Sequence, residues 1–121
     1  MKEKTHVYEP LRKNLPHIHW QRIENVAGTG VADINGCFRG IEFWIESKIS
    51  KGSHIEIRPD QIAWLTKRYE KGGRVFVVYR QEDTIGVLIP DGRGSFRNIF
   101  QTGKPFKYKE LENIFLYHPM K

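Results

Sequence analysis

The chain is poor in cysteine, in long apolar runs and in clustered charge. Cys37 is its only cysteine, which excludes an internal disulfide and makes a reducing compartment the expectation. No apolar stretch reaches the ~18 residues that a membrane-spanning helix needs. The opening residues Met1-Lys2-Glu3-Lys4-Thr5-His6 lead into no apolar core of a secretory leader, so a cytoplasmic protein is expected. Basic residues are scattered, with no block that would read as a disordered arm. There is no internal repeat, low-complexity tract or linker.

What is present fits one compact domain over residues 1–121. The 39% hydrophobic content, with seven Phe, five Tyr and three Trp, suffices for one real core. The net charge is +6, and a basic domain of this size often meets a polyanion, usually nucleic acid.

The element pattern is mixed. Residues 9–15 read as a short helix with Pro10 in its first turn, ended by Pro16. Residues 19–24 look extended, and 27–30 form a loop. Residues 31–35 and 41–48 read as two strands joined by a turn over 35–40. On the second strand Ile41, Phe43 and Ile45 share one face, and Glu42, Trp44, Glu46 and Lys48 share the other. Residues 50–57 are polar. Pro59 opens a helix through Gln61, Ile62, Leu65 and Tyr69, and Gly72-Gly73 stops it. Residues 74–79 form the most apolar strand, expected near the sheet centre. Residues 84–89 make another strand, 90–94 a turn, and 108–117 a closing helix with Leu111, Ile114 and Phe115 on its apolar side. The expected order is αβββαββα, an α/β or α+β fold around a mixed sheet.

Asp33, Glu46 and Lys48 carry the chemistry. Glu46 and Lys48 lie two apart on a strand, so both project from one face about 7 Å apart at the backbone. The hairpin brings Asp33 alongside. Two hard carboxylates can hold Mg²⁺, which activates water and polarises a phosphoryl oxygen. Lys48 can orient that water or stabilise developing charge, and the backbone carbonyl of Ser47 can add a ligand. An acid and a lysine two apart also occur on solvated sheet faces. The glycine-flanked hairpin, the apolar strand and the helix opening at Pro59-Asp60-Gln61 strengthen the pattern.

The strings Gly30-Val31-Ala32-Asp33, Ile45-Glu46-Ser47-Lys48, Arg58-Pro59-Asp60-Gln61-Ile62-Ala63-Trp64-Leu65 and Gly72-Gly73-Arg74-Val75-Phe76-Val77-Val78 resemble the PD-(D/E)XK nuclease superfamily. Within it they look most like the virus-type replication-repair nuclease group (VRR-NUC) and related phage nucleases that act on Holliday junctions. The resemblance implies a restriction-endonuclease-like fold, metal-binding Asp33 and Glu46, catalytic Lys48, and Gln61 near the site. It implies a fourth acid from an N-terminal element: Glu24 by its string, or Glu9 by its place on a helix. Ala32 stands where the family usually has proline, a backbone-shaping position.

The implied function is Mg²⁺-dependent DNA cleavage, with Mn²⁺ as a substitute, endonucleolytic rather than exonucleolytic. The setting would be phage-type replication, repair or recombination in a bacterial cytoplasm. Branched DNA is a candidate substrate and a homodimer the expected assembly. Lys51 and Arg58 are the foremost phosphate contacts, with Arg22, Arg39 and His54 behind them. His17 and His19 lack partners at zinc spacing. Trp20, Trp44 and Trp64 read as core, with Trp44 under the N-terminal helix. Lys67 and Arg68 read as a solvated face. The glycines do not precede a helix as a phosphate loop, so no nucleotide cofactor is expected. The alternative function is a non-catalytic basic nucleic-acid-binding domain on the same fold.

Overall fold

A computed structural model describes residues 1–24 and 29–121. Of the loop expected over 27–30, residues 27 and 28 lie outside the described residues. Among the described residues six strands form one mixed sheet in the order β1-β2-β3-β4-β5-β6. They are β1 His19–Arg22, β2 Ile34–Phe38, β3 Ile41–Ile49, β4 Val75–Gln81, β5 Thr84–Pro90 and β6 Phe96–Gly103. Only the β3–β4 pairing is parallel. The helix Pro59–Glu70 (α2) makes that crossover. The α1 segment is π-helical over Lys4–Tyr8 and α-helical over Glu9–Asn14, and α3 spans Tyr108–Tyr117. The mixed α/β expectation therefore holds, with one strand more than foreseen. Among the described residues no helix is long and apolar enough to cross a membrane.

The two sheet faces have separate cores. On one, Val7, Leu11 and Leu15 of the N-terminal segment join Leu111, Phe115 and Leu116 of α3 over Phe43, Ile45, Phe76 and Val78. Their four-residue spacing makes one helical stripe. On the other, Leu65 of α2 packs on Ala32, Val75 and Val77. Strand alternation on β3 falls as expected, with Phe43 and Ile45 toward the first core. Trp44 lies under α2, edge-on to Trp64 at 5.6 Å, not under the N-terminal helix. Its face is the one the β3–α2–β4 crossover covers.

Three of these expectations moved for physical reasons. The N-terminal helix starts five residues early. Pro10 has no N–H for an α-helical bond to His6. The wide turn before it absorbs this, with Glu9 N–H reaching Lys4 O, and Arg80 donates to the spare His6 carbonyl at 3.5 Å. The β2–β3 turn is only Arg39-Gly40, both with positive φ (53° and 78°), as a two-residue hairpin requires. Gly36 is therefore a strand residue opposite Phe43. A Cβ there would lie 2.3 Å from the Phe43 ring, so its lack of side chain serves packing rather than turning. Strand β6 was hidden by its bulge, where the register skips between Leu88↔Asn98 and Val87↔Phe100 and breaks the apolar alternation.

Candidate active site

Asp33 sits in the bend entering β2, one residue before the Ile34↔Ile45 pair, which places it beside Glu46 and Ser47 of β3. Its backbone carbonyl accepts from Ile23 N–H at 2.8 Å, tying the bend to β1. Its carboxylate accepts from the Ser47 N–H at 2.9 Å and from the Ser47 hydroxyl at 2.6 Å. The preceding chain presses on α2. Gly30 has φ +67°, and a Cβ on it would lie 2.1 Å from the Asp60 carbonyl oxygen. No other residue tolerates both the left-handed backbone and that contact.

Glu46 and Lys48 project from the β3 face that α2 covers. Gln61, at the third position of α2, links them. Its amide nitrogen donates to Glu46 Oε2 at 3.0 Å. Its amide oxygen accepts from Lys48 Nζ at 2.8 Å and from the Arg58 N–H at 3.1 Å. The last bond also caps the helix start, where a free N–H must find an acceptor. Lys48 Nζ stands 3.6 Å from Glu46 Oε2, with the two side chains 11% and 4% exposed.

The electrostatics are strained. Burial, then the nearby Asp33 charge, pushes the Glu46 carboxyl up to about 8, against the pull of Lys48. Burial also raises Asp33, opposed by the two Ser47 hydrogen bonds. Glu46 Oε1 is buried with no hydrogen-bond partner. A buried acceptor left this way is costly, and pooled acids in a low-dielectric site call for positive charge.

The N-terminal acid Glu3 lies within electrostatic reach of the pair. Burial first, then Asp33, raises its carboxyl, with Lys48 and Arg58 opposing, and Glu3 in turn raises Glu46. Glu3 also lines a small cavity with Lys48, Lys51, His54 and Glu56. Neither expected residue does this. Glu9 lines an outer recess with Thr5, Arg12 and Lys13, and Glu24 is exposed. The sequence held a signal for Glu3. The apolar spacing Val7–Leu11–Leu15 already carries the helix upstream of Pro10, and Glu3 precedes Val7 by one turn.

The expected phosphate contacts divide. Lys51 and His54 line the Lys48 cavity. Arg58 lies close enough to feel Glu46 and Glu3, although its guanidinium is paired to Asp60 at 3.1 Å. Arg22 stands at the same sheet end, beside Ile34 and over the Tyr8 ring. Arg39 does not belong with them. It sits in the β2–β3 turn over Phe38, about 20 Å along the hairpin from Glu46 at ~3.3 Å per residue.

The residues suit a hard cation by donor chemistry, through the orphaned Glu46 oxygen and the neighbouring Asp33. Among the described residues no group of three His, Cys, Asp or Glu side chains stands ready to hold one. An ion bound here would take two carboxylates and complete its shell with water, as Mg²⁺ commonly does. Compared with known proteins, the chain matches no family model and none of the curated proteins.

Proposed function

We propose that this protein is a divalent-metal-dependent DNA nuclease, with Asp33 and Glu46 as metal ligands. The observation that carries this reading is the buried Glu46 carboxylate, one oxygen held by Gln61 and the other without a partner, beside Asp33 and Lys48. Buried acceptors in a purely structural core are as a rule hydrogen-bonded, so the open Glu46 oxygen supports a ligand site. When bound, Mg²⁺ or Mn²⁺ supplies a water of lowered pKa and polarises a phosphoryl oxygen.

The chain's own residues do the rest. Lys48, held by Gln61, presents its ammonium to charge building on the phosphate. Ser47 fixes the Asp33 carboxylate through two bonds. Lys51 and His54, which line the cavity, bind backbone phosphates together with Arg22 and Arg58 nearby. Glu3 adds negative charge to the ligand set and strengthens the demand for a cation. The Ser47 carbonyl as a further ligand, branched DNA as substrate, endonucleolytic cutting, a homodimer that cuts both strands, and a cytoplasmic place in phage-type repair or recombination complete the proposal.

The test is incubation with branched, duplex and single-stranded DNA in EDTA, Mg²⁺ and Mn²⁺. Metal-dependent cleavage supports the reading. Binding without cleavage in every metal supports the non-catalytic DNA-binding domain instead.

A further inference from the structure

The C-terminal half of α2 carries a second cationic surface, apart from the site. An open recess of about 570 Å³ is lined there by Trp64, Lys67, Arg68, Lys71, Gly72 and Gly73. Lys67, Arg68 and Lys71 are exposed. Among the described residues none of the three has a carboxylate within ion-pair distance, although Glu70 sits on the same helix. Arg68 is held in place. Its guanidinium lies 4.7 Å from the Trp64 ring centre and 5.5 Å from that of Trp44. Its aliphatic stem runs against Gly73, where a Cβ would come within 2.7 Å of Arg68 Cγ. A planar guanidinium fixed this way loses little rotamer freedom on meeting a phosphate. Three unpaired cations next to an aromatic wall fit a polyanionic backbone.

The same helix carries Gln61 at its other end. At ~1.5 Å rise per residue, Arg68 lies about 10 Å and Lys71 about 15 Å beyond Gln61. That is roughly three to four base-pair steps at ~3.4 Å each.

We propose that Lys67, Arg68 and Lys71 form a second nucleic-acid contact, which takes backbone phosphates of the duplex arm flanking the reactive phosphodiester. This rests on the DNA reading above and deepens it. The arm, not the scissile bond, is what the surface reads, so it contributes affinity for long substrates and nothing to the chemistry.

The experiment is equilibrium binding of fluorescent duplexes without divalent metal, over a salt series and over arm lengths from 2 to 12 base pairs, lengths of about this range bracketing the estimated reach. The wild type is compared with the Lys67→Ser/Arg68→Ser/Lys71→Ser triple variant. The expected result is binding about tenfold or more weaker to long arms, with a salt slope flatter by roughly two to three. Arms shorter than about four base pairs should bind both proteins alike. Should the triple variant melt early, the Lys67→Ser/Lys71→Ser pair, which leaves the Arg68 stack intact, should still flatten the slope by about two. Unchanged affinity and slope overturn the proposal, as does a wild type that binds no duplex in low salt. Failure of the nuclease reading shows separately, as metal-independent silence in the cleavage assay with binding and slope intact.

Discussion

Glu46 and Gln61 meet at 3.0 Å, strand residue to helix residue, and the same glutamine accepts from Lys48 at 2.8 Å. One amide thus sets the spacing of an acid and a base that the strand places on one face. Gln61 is 4% exposed, so its loss strands three polar groups: Glu46 Oε2, the Lys48 ammonium and the Arg58 N–H. Gln61→Met, similar in size, is expected to destabilise the fold by about 1–3 kcal/mol, read by urea denaturation. It should lower kcat and move the pH profile of cleavage, which a merely structural residue would not do.

Replacement of the three central residues should separate cleavage from binding. Asp33→Asn and Glu46→Gln each remove a proposed negative oxygen ligand and should bind Mg²⁺ poorly. Lys48→Ala should cost on the order of 100- to 1,000-fold in rate. DNA binding should persist, because the proposed phosphate contacts come from other side chains. The check is cleavage in Mg²⁺ and Mn²⁺ set against anisotropy binding for each variant. Near-normal cleavage by the Asp33 and Lys48 variants would reduce these residues to a structural cluster of charges beneath α2.

The three N-terminal acids should not be equivalent. Glu3→Gln is expected to weaken Mg²⁺ affinity, measured by calorimetry, because Glu3 adds to the charge that Glu46 feels. Glu9→Gln and Glu24→Gln should leave it unchanged. Equal losses for all three would point to bulk charge rather than a site.

Metal-free stability should fall as pH rises. Glu46 has its carboxyl raised from 4.5 to about 8, so between these values the folded protein holds a proton that the unfolded chain has lost. Stability from this group is full below the unfolded value and is lost as pH climbs through the folded one. In EDTA the wild type should melt at a lower temperature at pH 8.5 than at 5.5. Glu46→Gln, which cannot ionise, should flatten that difference and melt higher at pH 8.5. Saturating Mg²⁺ should raise the wild-type Tm at pH 8.5 through binding to the native state. A wild type and variant with parallel pH profiles would refute the raised carboxyl.

Gly36→Ala should destabilise the fold by about 1–3 kcal/mol through overpacking against Phe43. Phe43→Leu in the same chain should recover part of that loss, since the two residues share one space. Additive losses in the double variant would show that the ring contact is not the cause.

Local signals carried much of the outcome. Proline at Pro59 and glycine at Gly72-Gly73 bounded α2, and alternation on β3 put Glu46 and Lys48 together, because each follows from backbone preference and side-chain period alone. Asp33 came with them through hairpin proximity. Other decisions needed the packed molecule. Gly36 looks like a turn residue until the Phe43 ring is seen in the space above it. Strand β6 has no clean period, and its pairing with β5 is what defines it. Trp44 belongs to α2 because the crossover returns across that face. Glu3 comes within electrostatic reach of Glu46 because the chain keeps its helix through Pro10 and packs it against β3 and β4. Sequence records the preferences of neighbours along the chain. Which acid comes within electrostatic reach of Asp33, and which glycine yields to a ring, depend on contacts between segments far apart in sequence, and these are chosen only when burial of both sheet faces is satisfied at once.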